Sequence, residues 1–231
     1  MKRIGLLGGM SWQSSALYYS LINELVAERL GGFHSADLIM RSVDFAEVER
    51  LQAEAAWDSV GDLLASAARD LESAGADLIV LCTNTMHKVA PQIQSAVTIP
   101  LLHLGDVTAA AVQATGITSV GLLGTRFTMQ ECFYRDRIAS HGLTVIVPDA
   151  DDRATVNRII YDELVHGIVH DESRAAFIDI IGRLAQAGAQ GVILGCTEIE
   201  LLVRPGDTPL PVFATTSIHA AAAVDAALDG A

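Results

Sequence analysis

The chain has 231 residues, of which 51% are hydrophobic and 19% charged, a composition that supplies a packed core and excludes an intrinsically disordered polypeptide. Its formal net charge of −13, with the few Lys and Arg residues scattered, opposes a nucleic-acid partner. One or two domains suit this length, and no Pro-, Ser- or Gly-rich stretch marks a flexible linker, so any division is compact.

The opening run Ile4-Gly5-Leu6-Leu7-Gly8-Gly9 is too short for a signal peptide or a membrane span and reads as a first strand. Further strands are expected in chain order at Asp37 to Arg41, Leu78 to Cys82, Leu101 to Leu104, Ser119 to Leu123, Thr144 to Val147, Val192 to Leu194 and Val212 to Ala214, after a first at Arg3 to Leu7. Longer amphipathic stretches separate them and stop at glycines: Gly31 and Gly32 after the stretch from Ser14, Gly75 after that from Trp57, Gly188 after that from Glu172. Short apolar runs alternating with helices define an α/β fold with parallel sheets.

Cys82, Cys132 and Cys196 include no CxxC pair, which fits free thiols in a reducing cytoplasm rather than a disulfide framework. No HExxH pattern is present, and Gly167 interrupts the one close histidine pair, His166 and His170, so no metal site is expected.

The chain contains an internal repeat. Leu71-Glu72-Ser73-Ala74-Gly75-Ala76 and the strand to Leu81 match Leu184-Ala185-Gln186-Ala187-Gly188-Ala189 and the strand to Leu194, at an offset of 113 residues. Ile4-Gly5-Leu6-Leu7-Gly8 likewise matches Val120-Gly121-Leu122-Leu123-Gly124, and Ile99-Pro100 matches Leu210-Pro211. Glycine-terminated helices before buried strands are common, but three matches in one order indicate two similar α/β halves, set at 1–103 plus 212–231 and at 104–211. A ligand is expected in the cleft between them, at the carboxyl ends of strands from both sides.

The same offset sets Thr83 opposite Cys196. Inversion at a tetrahedral carbon needs one acid/base group on each face, and a pair of related strand ends supplies two positions. A thiol titrates near about 8.5 and is lowered at a helix N-terminus, an environment expected for Cys196 ahead of Thr197. A Thr83 hydroxyl is too weak an acid to be an ordinary base, yet it can return a proton, directly or through water. Strand alternation turns Cys82 away from Thr83 and makes it a buried neighbour. Asn84 and Thr85, Thr125 and Thr128, and Thr197 offer hydroxyl, amide and backbone N–H donors for a substrate carboxylate, the alternative for each being ordinary helix capping. Cys132, in a helical stretch from Phe127 to Ser140, reads as a packed core thiol. His87, about one turn after Thr83, is either near the site or structural. Arg41 ends the second strand and is either a cation for a substrate carboxylate or a surface residue.

Taken together, Ile4-Gly5-Leu6-Leu7-Gly8-Gly9-Met10-Ser11-Trp12, Ser42-Val43-Asp44-Phe45, Thr83-Asn84-Thr85 with His87, Gly124-Thr125 with Thr128-Met129, and Gly195-Cys196-Thr197-Glu198 resemble the aspartate/glutamate racemase superfamily over essentially the whole chain. The resemblance implies racemisation of aspartate or glutamate by proton transfer at Cα, with no pyridoxal phosphate or other cofactor, and a homodimer with a small amino acid as its partner rather than nucleic acid or membrane. It implies Thr83 and Cys196 as the catalytic pair, with Cys196 taking the proton of the L enantiomer, and adds Met10, Gln52 and Glu198 to the substrate-binding set. Typical members carry cysteine at both strand ends, so Thr83 is a departure; Ala214 is another, where relatives often have Asp. The single cysteine leaves open a maleate-type isomerase, a malonate-type decarboxylase, or a carboxylate-binding module without activity.

Overall fold

A computed structural model describes residues 1–204 and 206–229. Along the chain run β1 (Ile4–Gly8), α1 (Trp12–Leu30), β2 (Leu38–Ser42), α2 (Phe45–Ala53), α3 (Trp57–Ser73), β3 (Leu78–Leu81), a 3-10 turn at Thr85–Val89, α4 (Ala90–Ser95), β4 (Leu101–Leu102) and α5 (Leu104–Gln113). There follow β5 (Ser119–Gly124), α6 (Arg126–Gln130), α7 (Cys132–Ala139), β6 (Thr144–Ile146), α8 (Ala150–Asp162), a second 3-10 turn at Leu164–His166, α9 (Asp171–Gln186), β7 (Gly191–Gly195), α10 (Ile199–Leu202), β8 (Val212–Ala214) and α11 (Thr215–Leu228). Each expected strand is present; Leu104, expected to end β4, instead opens α5. Among the described residues no helix is long and apolar enough to cross a membrane.

Contacts divide the chain into one unit of Met1–Leu104 with the stretch from His219 onward, and a second of Gly105–Ile218. The first holds a parallel sheet in the order β2-β1-β3-β4, and the second holds one in the order β6-β5-β7-β8. The second order is the first with every strand advanced by four, which is the repeat seen in the sequence. Residues 212–218, assigned from sequence to the first half, lie in the second unit because Val212–Ala214 pairs with β7.

The matching Ala-Gly-Ala strings have a common cause. Gly75 (φ 92°) and Gly188 (φ 101°) take left-handed conformations, and the next residue reaches back to a carbonyl of the helix, Ala76 to Leu71 at 3.1 Å and Ala189 to Leu184 at 2.9 Å. These are two copies of the helix stop that glycine permits, each delivering the chain into a buried central strand.

In the first unit the sheet is covered on both faces, which is why β1 and β3 are apolar throughout. Leu7, Ile79 and Leu81 face a core built with α2, α3 and α4 residues such as Val48, Leu64 and Ile93. Ile4, Leu6, Leu78, Val80 and Cys82 face the other way, onto Tyr18, Ile22 and Val26 of α1 and Ala220, Ala223 and Val224 of α11. In the second unit Leu123, Val192 and Leu194 pack with Ile159, Phe177 and Ile181 of α8 and α9.

The expected helix from Phe127 to Ser140 is broken at Glu131, whose backbone is extended (ψ 152°). That break resets the phase of α7 to bury Tyr134 and Ile138, and Cys132 lies on the exposed side. The expectation of a core thiol there is therefore corrected.

Two buried histidines tie the first unit together. His219 Nε2 donates to the Leu102 carbonyl at 2.9 Å, so its Nδ1 accepts from the Tyr18 hydroxyl at 2.9 Å. His87 Nε2 accepts the Leu104 N–H at 3.1 Å, and its Nδ1 donates to the Thr83 carbonyl at 2.8 Å. Both rings are neutral, burial being the main reason: His219 is pushed down to about 4 and His87 well below the ordinary range. The unfolded chain protonates these rings near about 6.5, so below that pH the unfolded state binds more protons and stability rises with pH. Urea unfolding should show stability falling from about pH 6.5 toward pH 4, by about 1.4 kcal/mol per pH unit for each histidine, with a smaller slope in His219→Gln. A flat profile across that window would contradict the neutral assignment.

Candidate active site

Parallel pairing places the ends of neighbouring strands side by side. Leu7 pairs with Leu81, so the turn after β1 and the turn after β3 start together. The first turn depends on Gly9, whose φ of 100° favours glycine and whose Cβ, if present, would lie 2.2 Å from the Val43 carbonyl oxygen. Ser15 Oγ accepts the Gly9 N–H at 2.8 Å and donates to the Ser11 carbonyl at 2.9 Å, while Ser11 Oγ caps α1 by accepting from Ser14 N at 3.2 Å. Met10 is buried in the α2/α3 core, so it packs there rather than making the substrate contact that the resemblance implied.

After β3, Thr83, Asn84, Thr85 and His87 are all buried. The Thr83 N–H donates to the Leu81 carbonyl at 2.8 Å, and its own carbonyl accepts from His87 Nδ1. With Nε2 also engaged, His87 holds the backbone at Thr83 and is committed to structure rather than proton transfer. Asn84 has helical backbone angles and its side chain does not cap the 3-10 turn that follows, so the capping alternative does not hold for it. Cys82 is fully buried on the α1/α11 face, where desolvation pushes its thiol far up.

In the second unit Gly124 pairs with Gly195, and a Cβ on Gly124 would lie 2.9 Å from the Gly195 carbonyl oxygen, so these strand ends approach as only small residues allow. Thr125 caps α6, its Oγ1 accepting from Thr128 N at 3.5 Å and lying 3.3 Å from Thr128 Oγ1, and both residues are buried. At the end of β7, Cys196 and Thr197 are buried and Glu198 is half-buried.

The Cys196 thiol donates to Glu198 Oε2 at 3.0 Å. Burial raises its pKa well above the ordinary thiol range, and the Glu198 carboxylate raises it further by its charge and by accepting from the protonated form. The expectation of a lowered thiol is therefore corrected: α10 is a four-residue helix beginning only at Ile199, and its end is outweighed by desolvation and a neighbouring anion.

Thr125, Thr128, Cys196, Thr197 and Glu198 thus gather at one sheet edge, as do Thr83, Asn84 and Thr85 at the other unit's equivalent edge. Gln52 is half-buried on α2. Arg41 is exposed, its Nε 3.2 Å from Asp70 and another guanidinium nitrogen donating to the Ser42 carbonyl at 2.8 Å, so it follows the surface reading. Ala214 offers no polar group; beside it Thr215 Oγ1 donates to the Leu194 carbonyl at 2.8 Å. Glu200 was not anticipated. It accepts from Thr216 N at 3.0 Å and from Ser217 Oγ at 3.3 Å, capping α11, and burial raises its pKa. A carboxylate opposite Thr-Thr-Ser was the available signal.

A sequence profile of the Asp/Glu/Hydantoin racemase family matches residues 7–223. The chain belongs to the Asp/Glu/Hydantoin racemase family. It is 54% identical to a candidate Asp/Glu racemase of Yersinia pestis, whose crystal structure aligns with a TM-score of 0.95 over 99% of this chain and 100% of that one. An aspartate racemase homologue from Pyrococcus horikoshii is 34% identical, with a TM-score of 0.88 over 98% of this chain and 99% of that one. The broad specificity amino-acid racemase RacX of Bacillus subtilis is 25% identical over 167 residues, 72% of each chain. Family membership places the protein among racemases, a class of isomerase.

The three thiols should separate by alkylation and peptide mapping. In native protein Cys132 should react first, Cys82 only on unfolding, and Cys196 at a rate that climbs with pH into the alkaline range. Glu198→Gln removes the adjacent negative charge and the charged acceptor, so the Cys196 profile should move to lower pH. An unmoved profile would show that the carboxylate does not set the thiol's protonation.

Proposed function

We propose that the protein racemises an acidic amino acid, aspartate or glutamate, with Cys196 and Thr83 exchanging protons on opposite faces of one Cα and with neither pyridoxal phosphate nor a metal taking part. One observation carries the reading: a buried thiol hydrogen-bonded to a carboxylate ends β7, and Thr83 ends β3, the strand in the same place in the sister sheet. Likeness to a broad specificity amino-acid racemase and to an aspartate racemase homologue supports it.

The raised thiol pKa means that Cys196 rests protonated. Passing that proton to Glu198 leaves a thiolate beside a neutral carboxyl, so the pair's total charge of −1 is unchanged and no second anion is buried. The thiolate then takes the Cα hydrogen. The resulting carbanion receives a proton on its other face from the Thr83 hydroxyl, whose oxygen regains one from solvent, and Glu198 returns its proton to solvent. Asn84, Thr85, Thr125, Thr128 and Thr197 supply donors for the substrate carboxylates, and Gln52 completes the substrate-binding set. Glu198 is moved from that set to serve the thiol.

The test is Cα exchange and inversion of L- and D-aspartate and glutamate in deuterated water, followed by proton NMR and chiral chromatography. Cys196→Ser should lose exchange by at least about 100-fold, in keeping with removal of a general base. Thr83→Ala should lose inversion while keeping exchange with retention on the L substrate, and Thr83→Cys should raise turnover of the D substrate. Exchange at the parental rate in folded Cys196→Ser would sink the reading; inversion of both enantiomers at the parental rate in Thr83→Ala would remove Thr83 from it.

A further inference from the structure

The second unit carries a positively charged groove remote in character from the acidic remainder of the chain. Helices α6 and α8 line a hollow of about 410 Å³, within the range of roughly 300–1,000 Å³ typical of small-ligand sites. A chain with 28 acidic and 15 basic residues collects three arginines there, Arg126, Arg153 and Arg158, against one lining carboxylate, Asp162. Arg158 pairs with Glu163 at 3.0 Å. Among the described residues Arg126 and Arg153 have no carboxylate partner: Arg126 lies over the Phe127 ring at 4.7 Å, and Arg153 gives one N–H to the Pro148 carbonyl at 2.6 Å while its Nε has no acceptor.

Two guanidinium groups without counter-ions on a chain of net charge −13 hold a local positive potential that the rest of the molecule opposes. Their planar donor sets match the oxygens of a phosphate, and a monoester dianion neutralises both. The remaining lining is not ionic. Tyr161 leaves 37% of its surface exposed, and the amides of Gln130 and of Asn157, whose Oδ1 accepts the Arg126 backbone N–H at 2.8 Å, belong to residues of the lining. These groups suit a flat body with polar edges. We infer that the α6/α8 groove binds a small organic phosphate of the nucleoside monophosphate kind, with the phosphate at Arg126 and Arg153 and the base at Tyr161. Arg126 and Gln130 are exposed on the helix whose Thr125 cap and Thr128 are buried, so this site is separate from the candidate substrate-binding residues Thr125 and Thr128 while sharing a helix with them.

Isothermal titration of the full chain with adenosine 5′-monophosphate at low salt tests the assignment, with adenosine and inorganic phosphate as separate arms. Saturable binding of the monophosphate is expected, at least fivefold tighter than inorganic phosphate, with none detectable for adenosine. Arg126→Gln and Arg153→Gln should each weaken it at least tenfold, whereas Arg50→Gln, in the Glu54 pair of α2, should leave it unchanged. If Arg153→Gln fails to fold, Arg126→Gln decides, since that guanidinium rests only on an aromatic ring. No saturable heat at millimolar monophosphate, or parental affinity in Arg126→Gln, overturns the site. Inorganic phosphate binding as tightly as the monophosphate overturns the organic body.

Discussion

Parallel strand pairing is the constraint on which everything else rests. Because all strands of each sheet run one way, every turn after a strand emerges at the same edge, and the register Gly8 to Ser42 and Gly124 to Gly195 sets neighbouring strand ends close together in each unit. The glycines at these ends follow from that crowding: a side chain at Gly9 would collide with Val43, and one at Gly124 with the Gly195 carbonyl. The polar residues that end the strands, Thr83 to Thr85, Thr125, Cys196 and Thr197, are buried at those edges while the strands behind them are held by apolar cores on their faces. Function is thereby separated from stability along each strand.

Burial also governs the chemistry. A thiol removed from water resists ionisation, and a carboxylate 3.0 Å away makes a free thiolate costlier still. The same carboxylate accepts the thiol's hydrogen bond, so it opposes a thiolate formed by loss of the proton to solvent and, in the proposed mechanism, takes that proton by internal transfer. His87 illustrates the opposite use of burial. With one ring nitrogen donating and the other accepting, it has no capacity left for a proton and instead fixes the carbonyl of Thr83.

The fold was legible because its signals are local and repeated: continuous apolar strands buried on both faces, and Ala-Gly-Ala stops that recur at equivalent places. The pairing of Thr83 with Cys196 as equivalent strand ends came from the same periodicity, and strand alternation correctly put Cys82 in the core. What could not be read were quantities set by tertiary surroundings. The sign of the Cys196 shift depends on burial and on the rotamer of Glu198, neither of which spacing encodes. The exposure of Cys132 depends on a single extended residue at Glu131 that breaks a helical pattern without Gly or Pro. The fate of Arg41 was decided by Asp70, 29 residues away and on another element. The end of the first half was misplaced because β8 looks like a return to the opening sheet, whereas hydrogen bonding keeps it with β7 and the chain crosses back only within α11.

An unequal acid/base pair raises a thermodynamic question that the proposed mechanism must meet. Free enantiomers have equal energies, so the ratio of forward to reverse kcat/KM is unity however dissimilar Thr83 and Cys196 are. A hydroxyl that is poor at removing a proton therefore cannot make the protein a one-way catalyst. The difference is confined to how each kcat/KM divides into kcat and KM and to which bound enantiomer exchanges its Cα hydrogen before it inverts. By microscopic reversibility, the step in which Thr83 donates to the carbanion is the step in which its oxygen, once deprotonated, removes the proton of the other enantiomer. The alkoxide must then exist in both directions, and its stability rather than that of the Cys196 thiolate sets the higher barrier. The donors closest to it in the chain, Asn84 and Thr85, are buried with it at the end of β3, which makes their orientation as consequential for turnover as the identity of residue 83 itself.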